Sequence, residues 1–166
     1  MSGYEFVCQK YRRIVNVRYV SAVLLALSLL VAGCAGKKVF TFQNAPGHVQ
    51  IPGDWKDATT PGKSKATSPD GKAWVAMASI ARPPQSMDIK TLAEMAWNAQ
   101  NVGAAAFEPV TVNGLPAAVG VVPGKPNITV VCVCQGKLKD RLLLVIATGE
   151  GVSESTMRKI VTSYQE

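Results

Sequence analysis

Two thiols one residue apart, Cys132-Val133-Cys134, form the tightest grouping of reactive side chains in the sequence. Soft sulfur ligands bind copper or zinc, and paired thiols undergo redox exchange. On a strand, side chains at i and i+2 share a face, so both sulfurs would meet one environment. Their Cα atoms would lie about 6.6 Å apart along a regular strand, close to the upper limit for a disulfide, and bonding would distort the ladder. The apolar pattern continues from Ile128 through Val133, which favours two small buried hydrophobic residues. A strained disulfide and a metal or thiol-redox pair are the alternatives. His48 is the single histidine, which excludes a multi-histidine metal site and a histidine proton relay. Asp54, Asp57, Asp70, Asp88, Glu94, Glu108 and Asp140 show no spacing that pairs them for acid/base work, and most flank turns or caps. No Gly-rich phosphate loop stands between a strand and a helix. These residues nominate no catalytic group, no cofactor site and no metal site, and the expectation is a nonenzymatic protein. Among the aromatics, periodicity puts Trp97 on the core side of a helix and Trp74 in a strand. Trp55, after a turn and between Asp54 and Lys56, is the one first expected at a partner or ligand surface.

A third cysteine has a different context. Val20 to Ala32 read VSAVLLALSLLVA, an apolar run preceded by Lys10, Arg12, Arg13 and Arg18 and followed by small residues. That is the order of a secretory signal, and the run is shorter than the about 20 apolar residues a membrane-spanning helix needs. Leu30-Val31-Ala32-Gly33-Cys34 resembles the lipobox of bacterial lipoprotein precursors. The resemblance implies cleavage between Gly33 and Cys34 and acylation of the Cys34 sulfur, so residues 1–33 are expected to be a signal peptide. More than one acyl chain gives durable anchoring. Ala35 in place of Asp resembles an outer-membrane sorting pattern, which implies the periplasmic face of that membrane if the cell has two. The 18 residues before the apolar run, with Glu5 among them, leave the translation start open.

The chain has 166 residues, 48% of them hydrophobic and 17% charged, and a formal net charge of +7. That length excludes large multidomain enzymes. From Cys34 onward, 14 Lys and Arg face 10 Asp and Glu, a mild balance that needs no nucleic-acid partner. Residues 34–38 read as the lipidated cysteine and a short tether, which reaches at most roughly 14 Å when extended. It would hold a domain over 39–166 near the bilayer, with Lys37 and Lys38 either touching anionic headgroups or simply solvated.

Turn chemistry divides that domain. Val39–Phe42 and His48–Ile51 read as extended segments, the second entering the turn Pro52-Gly53-Asp54-Trp55. Asp70-Gly71 separates Lys65–Ser68 from Ala73–Ile80, and Asn113-Gly114 separates Phe107–Val112 from Leu115–Val122. Pro123–Pro126 leads into Asn127–Cys134, and Gln135-Gly136 into Lys137–Ala147. The last four strands predict an antiparallel meander. Ile89, Leu92, Ala93, Ala96 and Trp97 repeat at helical spacing behind Asp88 or Ser86 as a cap. Met157, Ile160, Val161 and Tyr164 do the same behind Ser153 or Ser155. Leu142–Ile146 is apolar without alternation, which predicts a strand buried on both faces.

The arrangement resembles the PsbP-like fold of photosystem accessory proteins and of bacterial envelope proteins of the DcrB-like group. The residues that carry the resemblance are Ile51, Pro52, Gly53 and Trp55, the hairpin Ser68-Pro69-Asp70-Gly71, the turn Asn113-Gly114-Leu115-Pro116, and the closing helix ending near Ser163-Tyr164. The Ala-rich tract from Ala99 to Ala106 and the short stretch from Asp54 to Ser64 depart from it. The resemblance implies an α+β class: an α/β/α sandwich around a mainly antiparallel sheet, closed by a C-terminal helix. It also implies an accessory role, and the expected function is a membrane-anchored envelope protein that binds a protein partner or organises a membrane-associated assembly. The alternative is a carrier or sensor of a small apolar ligand; a thiol-dependent metal or redox protein comes third.

Overall fold

Leu142–Ile146 lies inside the longest strand of a seven-stranded antiparallel sheet. A computed structural model describes residues 36–83, 86–100, 103–137 and 139–166. Its strands are β1 (Lys37–Thr41), β2 (His48–Pro52), β3 (Lys56–Asp57), β4 (Lys65–Thr67), β5 (Ala73–Ala81), β6 (Ala106–Val112), β7 (Leu115–Val122), β8 (Asn127–Cys134) and β9 (Arg141–Glu150). The helices are α1 (Ile89–Asn98) and α2 (Glu154–Thr162). Cys34 and the signal segment lie outside the described residues. No helix among the described residues is long and apolar enough to cross a membrane.

The main sheet runs β3-β4-β5-β9-β8-β7-β6, and β1 pairs with β2 in a separate ribbon. The class is α+β, with the expected meander from β6 to β9 and the expected closing helix. Leu142 and Leu144 face one way, beside Leu92 and Trp97 of α1, while Leu143 and Val145 face the other, in the layer of Met157, Ile160 and Val161 of α2. One strand therefore supplies both cores, which is why its apolar residues do not alternate with polar ones. The ribbon shares the α2 layer: Phe40, Phe42, Val49 and Ile51 point inward at period two, and the Phe40 and Phe42 rings meet edge to face at 5.3 Å.

Local chemistry accounts for the punctuation. Asn113 and Gly114 take positive φ angles of 48° and 81°, the backbone of a tight two-residue hairpin. Asp88 caps α1 by accepting from the Thr91 N–H at 3.0 Å, and Ser153 caps α2 by accepting from the Thr156 N–H at 3.2 Å. Gly120 lies opposite Phe107, whose ring occupies the space a Cβ there would need, with ring atoms 2.7–2.9 Å from it.

Two boundaries differ from the sequence reading, and a stretch to which it gives no element is structured. β1 starts at Lys37, so Lys37 and Lys38 belong to a strand rather than a tether, and the Lys38 ammonium donates to the Trp55 carbonyl. The stretch after Asp54 is structured, with β3 and a Thr60–Lys63 bridge. β9 begins at Arg141 instead of Lys137, because Cys134 pairs with Leu143 and the connection spans six residues rather than the two of Gln135-Gly136.

The final residues join distant loops. Gln165 bridges to His48, the Tyr164 hydroxyl donates to the Pro46 carbonyl at 2.9 Å, and the Asn113 amide donates to the Tyr164 carbonyl. The Lys137 N–H donates to the Glu166 carboxylate at 2.9 Å.

Candidate functional site

β4 pairs with β5 only from Thr67↔Trp74 to Lys65↔Ala76, while β5 runs on to Ala81. The phase of the ladder decides which groups this leaves free. The Ser68 N–H donates to the Ala73 carbonyl at 2.8 Å, so Ala73 turns its peptide groups toward β4. Bonded and non-bonded residues alternate in an antiparallel strand, which makes Met77, Ser79 and Ala81 face the same way beyond the end of β4. On the opposite side the Glu150 N–H donates to the Lys72 carbonyl at 3.3 Å and the Arg82 N–H to the Asp140 carbonyl at 2.8 Å, placing the even-numbered residues against β9. Among the described residues, no backbone hydrogen bond takes up the outward N–H and C=O groups of Ser79 and Ala81, whereas Met77 lies opposite Ser64 at the last rung, where the non-bonded pair Lys65↔Ala76 turns the Met77 N–H toward the Ser64 carbonyl.

Beside this edge lies a groove of about 570 Å³. Lys63, Lys65 and Arg141 line it together with Asn44, Ser79 and Trp74, and no carboxylate does. The Lys65 ammonium stands 5.2 Å from the centre of the Trp74 ring, a cation–π contact that holds it at the rim. Arg141 Nη1 donates to Ser79 Oγ at 3.4 Å. The ion pairs among the described residues, Lys72–Glu150, Arg158–Glu108 and Arg158–Glu154, leave these three cations uncompensated.

On the other side of Trp74 is a smaller cleft of about 260 Å³. Trp97, Val122 and Ile146 give it apolar walls, and Thr129 and Thr148, with hydroxyls 2.6 Å apart, line it as well. It exists because α1 packs on β6, β7 and β8 and leaves the Trp74, Ile146 and Thr148 end of that face half-buried, while Leu142 and Leu144 of β9 are covered. The Trp97 indole N–H donates to the Gly103 carbonyl at 2.9 Å and fixes that wall.

The structure scatters the residues that the sequence singled out. Trp55 is a correction: it is 3% exposed and packs in the α2 layer, so it cannot serve as the partner or ligand surface expected of it. Its N–H donates to the Pro52 carbonyl at 3.1 Å, and that turn swings the ring inward while the flanking Asp54 and Lys56 stay exposed. Cys132 and Cys134 are free thiols, each 0% exposed, with sulfurs 3.3 Å apart in the same layer. The hydrogen bond with Cys134 and burial push the Cys132 thiol well up, away from the thiolate that metal binding and exchange require. His48 is a half-buried ribbon residue whose backbone pairs with Gln165. Among the described residues, no three of His, Cys, Asp and Glu gather as a metal set.

The residues that do converge, Lys63, Lys65, Trp74, Ser79 and Arg141, form no motif. One signal was available. Met77–Ala81 contains neither charge nor proline, whereas the strand at the other edge, β6, carries Glu108 and Pro109. In the same ladder phase Pro109 faces outward, so its missing N–H blunts that edge.

No family model and no curated protein matches the chain. Among solved structures it is similar to a protein of Bacteroides thetaiotaomicron VPI-5482, with 12% identity and a TM-score of 0.46 over 80% of this chain and 48% of that one. The chain thus spans about half the length of that protein, at a similarity that carries no function across.

Proposed function

We propose that the protein is a nonenzymatic accessory lipoprotein of the bacterial envelope, held at the membrane through acylated Cys34 and acting by binding another protein. The PsbP-like resemblance supports this reading, and a helix on each face of the sheet is consistent with the layering it implies. The observation that carries it is the β5 edge, whose unsatisfied peptide groups lie beside a groove with three cations. Such an edge is a template for pairing with another chain. The test is chemical crosslinking of the lipidated protein in its own membrane, followed by mass spectrometry. A reproducible neighbouring protein supports the reading; its absence across crosslinkers of different reach refutes it.

One observation favours the alternative, a carrier of a small apolar ligand: the cleft between Trp74 and Trp97. At about 260 Å³ it falls below the range of roughly 300–1,000 Å³ usual for ligand pockets. It suits a single side chain of a partner better than a whole lipid. Native mass spectrometry showing a bound small molecule on protein extracted from its membrane would reverse this ranking.

A further inference from the structure

We propose that the free half of β5 receives an extended, carboxylate-bearing segment of the partner as an eighth strand of the sheet, an inference that rests on the protein-binding reading. Strand addition needs a row of peptide groups at an accessible edge, and the outward groups of Ser79 and Ala81, past the last rung at Met77, supply one. The stretch from Ala78 to Ala81 is about 13 Å long, room for about four residues of a guest strand. Within its own residues it carries neither charge nor proline, while the opposite edge carries Glu108 and Pro109. An edge left unguarded on one side only is the pattern of a docking strand.

Charge selects the guest. Lys63, Lys65 and Arg141 surround the edge without a carboxylate in the groove, so a segment with Asp or Glu side chains gains where a neutral or basic one does not. A second copy of this chain is disfavoured by the same fact, because pairing β5 with β5 would bring two sets of these cations together. The half-buried Trp74 stands between the groove and the apolar cleft.

The test uses the full lipidated chain in its own membrane, with a photoreactive benzoylphenylalanine in place of Ala81 and, separately, in place of exposed Lys159 on α2 as a control position. Irradiation at position 81 is expected to join the protein to an extended acidic segment of a partner, located by mass spectrometry. Ser79→Pro removes an outward N–H without taking a bond from the β5–β9 ladder, and is expected to lower the yield roughly tenfold. The pair Lys63→Glu and Arg141→Glu is expected to do the same by charge alone, so a folding defect from proline cannot account for both. Unchanged melting temperatures of the variants establish that they fold. A yield at position 81 that survives both changes overturns strand addition, as does an adduct on a basic segment, on a helix, or between two copies. If a partner is captured only through position 159 or by general crosslinkers, this proposal falls and the protein-binding reading stands. If no protein is captured by any route, both fall.

Discussion

Replacing Ile160 by Asp places a carboxyl where the α2 layer meets the sheet. Ile160 is 3% exposed and shares its core with Val161, Met157 and Leu143. Losing the burial of the isoleucine side chain costs roughly 1.5–3 kcal/mol. The new carboxyl has a way out of burial as an anion: it can take up a proton. From a free value of about 3.9, neutralisation at pH 7 costs about 4 kcal/mol, at about 1.36 kcal/mol per pH unit. That figure caps the charge penalty, and the total is about 6 kcal/mol, against about 5–15 kcal/mol for the stability of a whole domain. Because the folded carboxyl is raised, its penalty is absent below the free value and grows as pH rises toward the folded one. The Ile160→Asp deficit should therefore shrink to about 3 kcal/mol near pH 4. Ile160→Ala, which leaves only a cavity, should show a deficit of about 2–5 kcal/mol that does not change with pH. Lys159→Asp, on the exposed side and in the last turn of α2, should cost only about 0.3–1 kcal/mol through the helix dipole. Urea unfolding of a chain beginning at Ala35, followed by the fluorescence of buried Trp55 and Trp97, reads all three. Equal midpoints and slopes for Ile160→Asp and the parent would refute the packing of α2 on the sheet.

Three further outcomes are expected. Intact-mass analysis of membrane-purified protein should show an acylated chain beginning at Cys34, and Cys34→Ser should abolish lipid attachment; an unacylated terminus elsewhere defeats the assignment. Joint replacement of Cys132 and Cys134 by Ala should cost about 1–3 kcal/mol from lost packing and leave partner crosslinking intact, whereas stoichiometric copper or zinc lost with the thiols, in a variant that stays folded, would reverse that reading. In a chain starting at Ala35, Tyr164 is the only tyrosine, and burial first, then the Glu166 carboxylate, hold its phenol above the ordinary value. Its stabilising contribution should be complete below about pH 10 and fall as pH rises toward the folded value. Phenolate absorbance should lag behind that of free tyrosine until unfolding, and Tyr164→Phe should cost about 1 kcal/mol at neutral pH with a narrowing gap above pH 10.

The parts legible in the sequence are those set by local chemistry or by a single strand's burial. Asn113-Gly114 needed only its own turn preference, and Leu142–Ile146 announced two covered faces by lacking alternation. The start of β9 was misplaced because Gln135-Gly136 looks like a complete turn, while the register is fixed by pairing Cys134 with Leu143. Trp55 was misjudged because its charged neighbours describe the surface they reach, not the direction in which a tight turn sends the ring. The candidate site was hidden for a topological reason. It exists because β5 lies between long β9 and three-residue β4, and neither that order nor the mismatch in length is a property of any one segment.

The contacts of Tyr164, Gln165 and Glu166 also set an order of events in folding. Tyr164 reaches back 118 residues to Pro46, and the ribbon of β1 and β2 packs against α2 and pairs with these residues. Without those contacts the ribbon is close to a two-stranded hairpin, which is marginal in water. Contacts of such sequence separation form late.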